Sequence, residues 1–199
     1  MTKKVGVLAL QGAVSEHISQ INQLGGQGIA IKTPADLAQV QGLIIPGGES
    51  TAISRLIQQV NLYEPIQAFA KTNPVFGTCA GLILCGSGIT DGGEKLKPLN
   101  LIDIAVTRNG FGRQVDSFEV DLDIENVGKA IPSVFIRAPF ITSVGQGVKA
   151  LATYEDKIVM AEQGNILVCS FHPELTDNNE VIGYFMSKII LQDLKFITK

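Results

Sequence analysis

The sequence predicts an α/β protein made of a single domain, residues 1–199, in which helices cover both faces of a mixed, mostly parallel sheet. The chain has 199 residues, of which 45% are hydrophobic and 18% are charged, enough for one buried core without disulfides or metal ions. Its first half alternates short apolar runs with segments of helical periodicity, which is typical of parallel strands joined by helices. Its second half contains closely spaced strand-like runs separated by polar turns, which makes the predicted sheet a mixed one.

The first half supplies the parallel strands and their helices. The run 5–10 is continuously apolar, as expected for a strand that is buried on both faces, and three shorter runs also predict strands. These runs are 5–10, 28–31, 42–45 and 75–77. A helix is predicted over 13–24, because Val14, Ile18 and Ile21 recur at helical spacing and two glycines follow. Further helices are predicted over about 50–60 and from residue 80 to residue 85.

The second half is richer in strands. Six runs predict strands, because apolar and β-branched residues are concentrated in each of them between short polar turns. They are 101–106, 116–121, 134–136, 148–153, 157–163 and 166–170. Gly164-Asn165 lies between the last two runs and is a hairpin signal. A glycine-rich, charged surface loop is predicted over 86–97, and a final helix over 179–194.

Composition and charge exclude several classes of protein. The net charge is −3, so the chain lacks the basic surface of a nucleic-acid-binding protein. Tryptophan is absent and aromatic residues make up 6%, which argues against a base-stacking surface. No run approaches the roughly 18 apolar residues of a membrane helix, and the three cysteines are an odd number for a disulfide framework. We therefore expect a cytoplasmic protein with free thiols, bound to neither nucleic acid nor membrane and holding neither metal nor cofactor.

The most informative local pattern is the pentapeptide at 77–81, Gly-Thr-Cys-Ala-Gly, between an apolar strand and an apolar helix. Small residues allow a sharp strand-to-helix turn that pushes the side chain of Cys79 out of the end of the sheet. At the N-terminus of a helix the thiolate form of Cys79 is favoured, and the next backbone N–H, on Ala80, is free to bind an oxyanion. The alternative interpretation is a buried cysteine in a glycine-rich turn.

A thiolate nucleophile needs a base, and the chain offers two histidines. His172 follows the last predicted strand, and Pro173 disfavours a helix there. In an extended backbone His172 and Glu174 point the same way, so the carboxylate can bind one ring nitrogen while the other faces Cys79. We predict a Cys79–His172–Glu174 triad, against the alternative of a polar turn. His17 is predicted to be a histidine on the flank of the first helix, without a catalytic role.

The cysteine turn and the His-x-Glu pattern resemble the class I, triad-type glutamine amidotransferases. Pro46 to Thr51, Pro-Gly-Gly-Glu-Ser-Thr, is similar to the loop that binds the oxyanion in that family. The resemblance implies a flavodoxin-like fold and a cysteine that attacks the side-chain amide of glutamine to form a thioester. It also implies that the backbone N–H groups of Gly48 and Ala80 bind the oxyanion.

Further segments resemble one branch of that family, the glutaminase subunits of pyridoxal 5′-phosphate synthase. These segments are 6–12, 46–51, 108–114, 116–119 and 135–139, within a resemblance that runs from about residue 4 to residue 192. Gly110 departs from the family pattern, which more often has alanine there. The resemblance implies that glutamine is contacted by six residues. They are Gly47, Gly48, Glu49, Arg108, Ile136 and Arg137.

The residue chemistry agrees with those roles, because a guanidinium group binds a carboxylate bidentately and a carboxylate can bind an ammonium group. Arg113, by contrast, is predicted to be a solvated surface charge. The resemblance further implies that ammonia passes to a (β/α)₈ pyridoxal 5′-phosphate synthase subunit in a large hetero-oligomer. A hypothesis about control follows: docking of that partner turns the Gly47–Gly48 peptide, because two glycines allow a peptide to rotate at little cost.

Three alternatives stay open at this point. The first is the glutaminase subunit of a different triad amidotransferase, serving histidine, purine or anthranilate synthesis. The second is a cysteine hydrolase of the similar flavodoxin-like superfamily, in which a histidine usually follows the cysteine directly, whereas Ala80 follows it here. The third is a binding module with an inactive cysteine turn.

Overall fold

A computed structural model of the chain describes residues 2–92, 96–108, 110 and 117–197. The strands are β1 Lys4–Leu8, β2 Gln27–Ile31, β3 Gly42–Ile45, β4 Val75–Thr78, β5 Gly88–Ile89, β6 Ile104–Thr107, β7 Ser117–Ile124, β8 Gly128–Ile136, β9 Phe140–Val144, β10 Lys149–Tyr154, β11 Lys157–Gln163 and β12 Ile166–Cys169. The α-helices are α1 Val14–Gln23, α2 Pro34–Leu37, α3 Ser50–Gln59, α4 Tyr63–Ala70, α5 Ala80–Cys85 and α6 Glu180–Ile197, and a 3₁₀ turn spans Pro173–Leu175.

Within the described residues, ten strands form one sheet in the order β2-β1-β3-β4-β12-β11-β9-β6-β5, with β10 beside β11. The strands β2, β1, β3, β4 and β12 are parallel to one another, and antiparallel pairing begins where β11 joins β12. The strands β7 and β8 form a separate antiparallel hairpin. The mixed, mostly parallel sheet predicted from the sequence is confirmed.

The core is divided by the sheet into two layers. On one face α2, α3, α4 and α5 bury apolar side chains, among them Ile53 and Leu82. On the other face α1, α6 and the β7–β8 hairpin do so, with Ile21, Phe135 and Phe185 fully buried. Helices therefore cover both faces, as the apolar parallel strands require.

The parallel half of the sheet determines where the functional side chains meet. The strands β3, β4 and β12 are neighbours, and the loops at their carboxyl ends leave the same edge of the sheet. Residues 46–49 follow β3, Cys79 follows β4 and His172 follows β12. Segments that are far apart in sequence are thus brought together by strand order alone, as is usual for sites in open α/β sheets.

Some elements were missed by the sequence patterns. The helix α4 begins at Tyr63 with Pro65 in its first turn, where the missing N–H costs no helical hydrogen bond. The strand β9 buries only Ile141 among its five residues, so it shows no strong apolar pattern. The short helix α2 was also not predicted, β8 begins at Gly128 rather than Val134, and the two-residue strand β5 lies within the predicted loop.

Parts of two predicted segments lie outside the residues that the structure describes. The structure does not describe residues 109 and 111–114 of the 108–114 segment, and Arg113 is one of them. Residue 116 also lies outside the described residues. So do residues 93–95 of the predicted surface loop. None of the helices in the described ranges is long and apolar enough to cross a membrane.

Candidate active site

The cysteine turn joins β4 directly to α5, as the sharp strand-to-helix turn predicted from the sequence does. Cys79 has φ 50° and ψ −104°, a left-handed conformation that is rare for a residue with a side chain and is typical of strain held at functional sites. The flanking glycines are required because a side chain at either position would collide with a backbone carbonyl group. A Cβ on Gly77 would lie 2.5 Å from the carbonyl oxygen of Gly81, and a Cβ on Gly81 would clash with the carbonyl oxygen of Ile45.

The side chain of Cys79 lies at the bottom of a cleft, with 8% of the residue exposed. Its Sγ atom is 4.0 Å from the carbonyl oxygen of Ile136, at the end of β8. The backbone N–H of Cys79 donates to the carbonyl of Cys169, and this hydrogen bond fixes the turn against β12. Ala80 follows as the first residue of α5, where backbone N–H groups have no helical acceptor.

His172 and Glu174 form a hydrogen-bonded pair, with 2.7 Å between Nδ1 of His172 and Oε1 of Glu174. The expected reason for their pairing was wrong. The backbone is not extended here, because Glu174 lies in the 3₁₀ turn Pro173–Leu175. That tight turn, which Pro173 begins, brings the carboxylate back beneath the imidazole ring. The backbone N–H of His172 also donates to the carbonyl of Val134, which ties the pair to β8.

The three residues of the predicted triad lie together. The ring of His172 lies beside Cys79 and hydrogen bonds with Glu174. Burial lowers the pKa of His172, but the hydrogen bonds to Cys79 and Glu174 outweigh it and raise the pKa to about 10. Burial raises the pKa of Glu174, but the hydrogen bond to His172 outweighs it and holds the pKa below its ordinary value. The raised pKa of His172 means that its ring is charged at neutral pH.

The glycine loop after β3 packs directly against the triad. A Cβ on Gly47 would lie 2.5 Å from Cε1 of His172 and 3.3 Å from Cβ of Cys79, so glycine is required there. Gly48 has φ +152°, and the side chain of Gln11 accepts a hydrogen bond from the backbone N–H of Glu49 at 3.0 Å. The loop between β1 and α1 thus supports the glycine loop from outside.

The cleft above Cys79 has a volume of about 430 Å³. Eight of the ten predicted site residues line this cleft. Of the other two, Gly47 packs against the His172 ring and Glu174 hydrogen bonds with it. The lining residues are Gly48, Glu49, Ser50, Cys79, Ala80, Ile83, Arg108, Ile136, Arg137, Pro139 and His172. Among the described residues, no group of three His, Cys, Asp or Glu side chains is arranged to hold a metal ion.

Two charged side chains of the cleft are held by neighbours. Both carboxylate oxygens of Glu49 accept backbone N–H groups of the first turn of α3, from Thr51 at 3.0 Å and Ala52 at 2.6 Å. Burial raises the pKa of Glu49, but these hydrogen bonds lower it more, so the side chain stays ionised. Arg108 is held by Asp91, whose Oδ1 accepts from Nε and whose Oδ2 accepts from the Arg108 backbone N–H, both at 3.1 Å.

The role of Asp91 was not predicted from the sequence. It lies in the glycine-rich loop, 17 residues before Arg108, and no spacing rule joins the two. The pairing of β5 with β6 brings the two residues together, because both follow these parallel strands.

The strand β8 is followed by a second strained residue. Arg137 has φ 42°, and it follows Ile136, whose carbonyl faces Cys79. The backbone N–H of Gly110 donates to the carbonyl of Ala138 nearby, at 3.0 Å. A Cβ on Gly110 would clash with the ring of Phe140, so glycine fits this position of the structure.

His17 does not lie on the flank of its helix. It is 0% exposed, and its Nε2 atom is 3.4 Å from Oε2 of Glu174 and 3.5 Å from Oγ1 of Thr78. The interpretation from spacing was wrong because the 3₁₀ turn packs on α1, which the sequence pattern does not indicate.

Comparison with known proteins agrees with this geometry. The profile of the SNO glutamine amidotransferase family matches residues 7–191. The chain is 52% identical to the pyridoxal 5′-phosphate synthase subunit PdxT of Oceanobacillus iheyensis, over 94% of this chain and 93% of that protein. It is 51% identical to the PdxT of Oenococcus oeni, over 94% and 96% of the two chains. A crystal structure described as a glutamine amidotransferase superimposes with a TM-score of 0.88 at 39% identity, covering 93% of this chain and 98% of that one.

Proposed function

The chain belongs to the SNO glutamine amidotransferase family, and from this premise we propose which of its residues carry out the reaction. The protein is a glutaminase, the glutamine-hydrolysing subunit of pyridoxal 5′-phosphate synthase. The observation that carries the residue assignment is the hydrogen-bonded pair of His172 and Glu174 beside Cys79, at the bottom of a cleft with charged walls. We assign the whole chain, residues 1–199, to one glutaminase domain.

In the first half of the reaction, the Cys79 thiolate attacks the side-chain amide carbon of glutamine. The backbone N–H groups of Gly48 and Ala80 bind the oxygen that becomes negative. As the C–N bond breaks, protonated His172 gives its proton to the departing ammonia, and a glutamyl thioester remains on Cys79. Glu174 keeps the His172 ring oriented and stabilises its charged form.

In the second half, neutral His172 takes a proton from a water molecule. The water oxygen attacks the thioester carbon, and the bond to sulfur breaks. Glutamate leaves, Cys79 returns to the thiolate and His172 to the imidazolium. No metal or cofactor takes part in this proposal, because the thiolate supplies the nucleophile and the imidazole moves the protons.

Recognition of the amino-acid end of glutamine falls to the walls of the cleft. The guanidinium group of Arg108, or of Arg137, suits the α-carboxylate, and ionised Glu49 suits the α-ammonium group. Its hydrogen bonds to α3 leave Glu49 further lone pairs, since each carboxylate oxygen accepts more than one donor. Gly47 and the backbone of Ile136 complete the contact with the side chain of glutamine.

Ammonia is the product that the synthase uses, and we propose that a (β/α)₈ synthase subunit receives it in a large hetero-oligomer. The cytoplasm is the proposed location, since the three cysteines are free and a reducing compartment keeps them so. The test measures glutamate and ammonia released from glutamine by the purified subunit, alone and with the synthase subunit. Absence of hydrolysis in both assays would contradict the glutaminase assignment, and stimulation by a different synthase would favour another triad amidotransferase.

Replacement of Asp91 by Asn is expected to raise the KM for glutamine about five- to tenfold while kcat changes less than twofold. The reason is that an asparagine side chain has a single oxygen, so it cannot accept from both the Nε and the backbone N–H of Arg108 in the present geometry. Steady-state kinetics check this. Asp123→Asn, at a carboxylate of the β7–β8 hairpin that accepts from Ala130, is the matched control. An unchanged KM in Asp91→Asn would show that Arg108 needs no such support.

Replacement of Gly48 by Val is expected to lower the partner-stimulated rate by on the order of 10²-fold, the typical cost of one oxyanion donor. A Cβ here would lie 3.0 Å from Cδ1 of Ile53 and 3.2 Å from Oε1 of Gln11, and φ +152° is strained for valine. The peptide could then no longer turn when the partner docks. Hydrolysis and complex formation are measured together, and binding should weaken far less than the rate.

The control for that change is Gly25→Ala, because Gly25 also has a positive φ, of 77°, but has open space around it. It should lose some stability and keep its stimulation by the partner. If Gly48→Val kept full stimulation, the Gly47–Gly48 peptide would not be the switch. Equal rates for the wild-type subunit with and without saturating synthase would refute gating by the partner altogether.

A further inference from the structure

The triad rests on a second buried histidine. His17 lies on α1, entirely out of contact with solvent, and its Nε2 atom is 3.4 Å from Oε2 of Glu174. The same nitrogen is 3.5 Å from Oγ1 of Thr78, the residue before the nucleophile. His17 therefore touches the acid of the triad at the carboxylate oxygen that does not bind His172, and it also touches the strand that carries Cys79.

The two oxygens of Glu174 have different surroundings. Oε1 binds Nδ1 of His172 at 2.7 Å. Oε2 is buried and has no hydrogen bond of normal geometry among the described residues, although Nε2 of His17 lies beside it. A buried carboxylate oxygen without a donor is costly, because the ionised group loses its water and gains nothing in exchange. A small rotation of either side chain would give Oε2 an N–H donor from His17.

The surroundings of His17 select one protonation state. Its Nδ1 atom is buried and has no hydrogen-bond partner in the described part of the chain. A proton on Nδ1 would therefore be an unpaired buried donor, whereas a proton on Nε2 points toward Glu174 and Thr78. The pKa of His17 is lowered, because the effect of burial is larger than the opposite effect of the charge on Glu174. The neutral ring with its proton on Nε2 fits both observations.

Helix α1 holds the backbone of the same turn as well. Gln20, three residues after His17, donates from Nε2 to the carbonyl of Pro173 at 3.0 Å and to that of Thr176 at 3.3 Å. The side chain of Glu174 and the backbone on either side of it thus face the same side of α1. Residues three apart on a helix share a face, which explains why one helix can do both.

We propose that His17 is a positioning residue for glutamine hydrolysis: its Nε2–H holds Oε2 of Glu174, so that Oε1 stays on His172 and the imidazole stays aimed at Cys79. His17 touches no reacting atom in this arrangement. It acts through Glu174, and the inference rests on the triad assigned under the proposed function. This positioning role differs from the expectation that His17 lies on the flank of the first helix.

The test uses two polar variants of similar size. The amide nitrogen of Gln in His17→Gln reaches about as far as Nε2, whereas in His17→Asn it reaches only about as far as Nδ1. In the complex with the synthase subunit, we expect His17→Asn to lower kcat about tenfold, the effect of one hydrogen bond to a charged group, with KM within twofold. His17→Gln should retain at least a third of the wild-type kcat. Equal loss in both variants would overturn the proposal.

A double-mutant cycle with Glu174→Gln separates positioning from general stability. If His17 acts through the carboxylate, His17→Asn should lower kcat less than twofold in the Glu174→Gln background. A further tenfold fall there would overturn the positioning role while leaving the triad intact. If Glu174→Gln alone had no effect, the triad assignment itself would fail. Ile21→Val, a buried change on the same helix, controls for packing and should lower stability without changing kcat.

A measurement on the wild-type protein keeps the proposal testable if a variant does not fold. The chain has two histidines, so ¹⁵N-histidine labelling gives two ring spin systems that can be assigned with His172→Asn. We expect the His17 ring to be neutral with its proton on Nε2 between pH 6 and pH 8. A proton on Nδ1, or a charged ring in that range, would overturn the proposed hydrogen bond.

Discussion

Replacement of Cys79 by Ser is expected to lower glutamine hydrolysis by at least about 10³-fold while leaving the fold intact. Serine is close to cysteine in size, and it can occupy the same left-handed turn between Gly77 and Gly81. Its hydroxyl, however, does not ionise near neutral pH. The contribution of Cys79 to the raised pKa of His172 would therefore be lost together with the thioester.

Glutamate release by the subunit with saturating synthase checks this prediction, and circular dichroism checks the fold. Mass spectrometry should detect a covalent adduct with a glutamine-like electrophile at Cys79 in the wild type and none in Cys79→Ser. Residual activity above a few per cent would contradict the assignment of the nucleophile.

The other two cysteines provide the matched control. Cys85 and Cys169 are 0% exposed, and burial raises the pKa of both thiols, that of Cys85 to about 12. Neither therefore forms a thiolate at neutral pH. Cys169→Ala should cost roughly 1 kcal/mol of stability through a small cavity and keep its activity. Complete loss of activity in folded Cys169→Ala would mean that the chemistry is not confined to Cys79.

Several parallel strands and the cysteine turn could be predicted from sequence because their causes are local. An apolar run such as 42–45 has one stable place, inside a parallel sheet, and the structure has a strand at those same residues. The turn at Cys79 needs small residues two positions before and after it, and all of these residues lie within one pentapeptide. The pairing of β3 with β4 and of β4 with β12, which the sequence patterns did not predict, brings the predicted cleft residues together.

The parts that could not be predicted depend on contacts between distant segments. His17 and Glu174 lie near opposite ends of the chain, and their contact needs the packing of α1 on a 3₁₀ turn that no periodicity indicates. Asp91 reaches Arg108 only because β5 pairs with β6, and β5 has two residues. Residues that support a site thus leave a weaker trace in sequence than those that perform the chemistry, because many residue types and spacings can supply one supporting hydrogen bond.

Replacement of His172 by Asn is expected to lower hydrolysis by about 10²- to 10⁴-fold, the usual contribution of a general acid and base. Asparagine can still form a hydrogen bond in the turn, but it cannot give a proton to ammonia or take one from water. Glu174→Gln should be impaired less than His172→Asn, because it removes only the group that orients and charges the ring. Single-turnover thioester formation and steady-state hydrolysis are measured for both variants. A Glu174→Gln defect larger than that of His172→Asn would contradict this division of roles.

The same substitution carries a prediction about pH. The pKa of His172 is raised from 6.5 to about 10 in the folded protein, so protonation of this ring stabilises the fold. That contribution is fully present below about pH 6.5 and is lost as the pH rises through about 10. Urea unfolding of the wild type and of His172→Asn should therefore give a larger difference in unfolding free energy at about pH 7.5 than at about pH 10.5. A difference that stayed constant or grew with pH would mean that His172 is neutral in the folded protein, and the thiolate–imidazolium pair would have to be replaced by a neutral thiol that His172 deprotonates during attack.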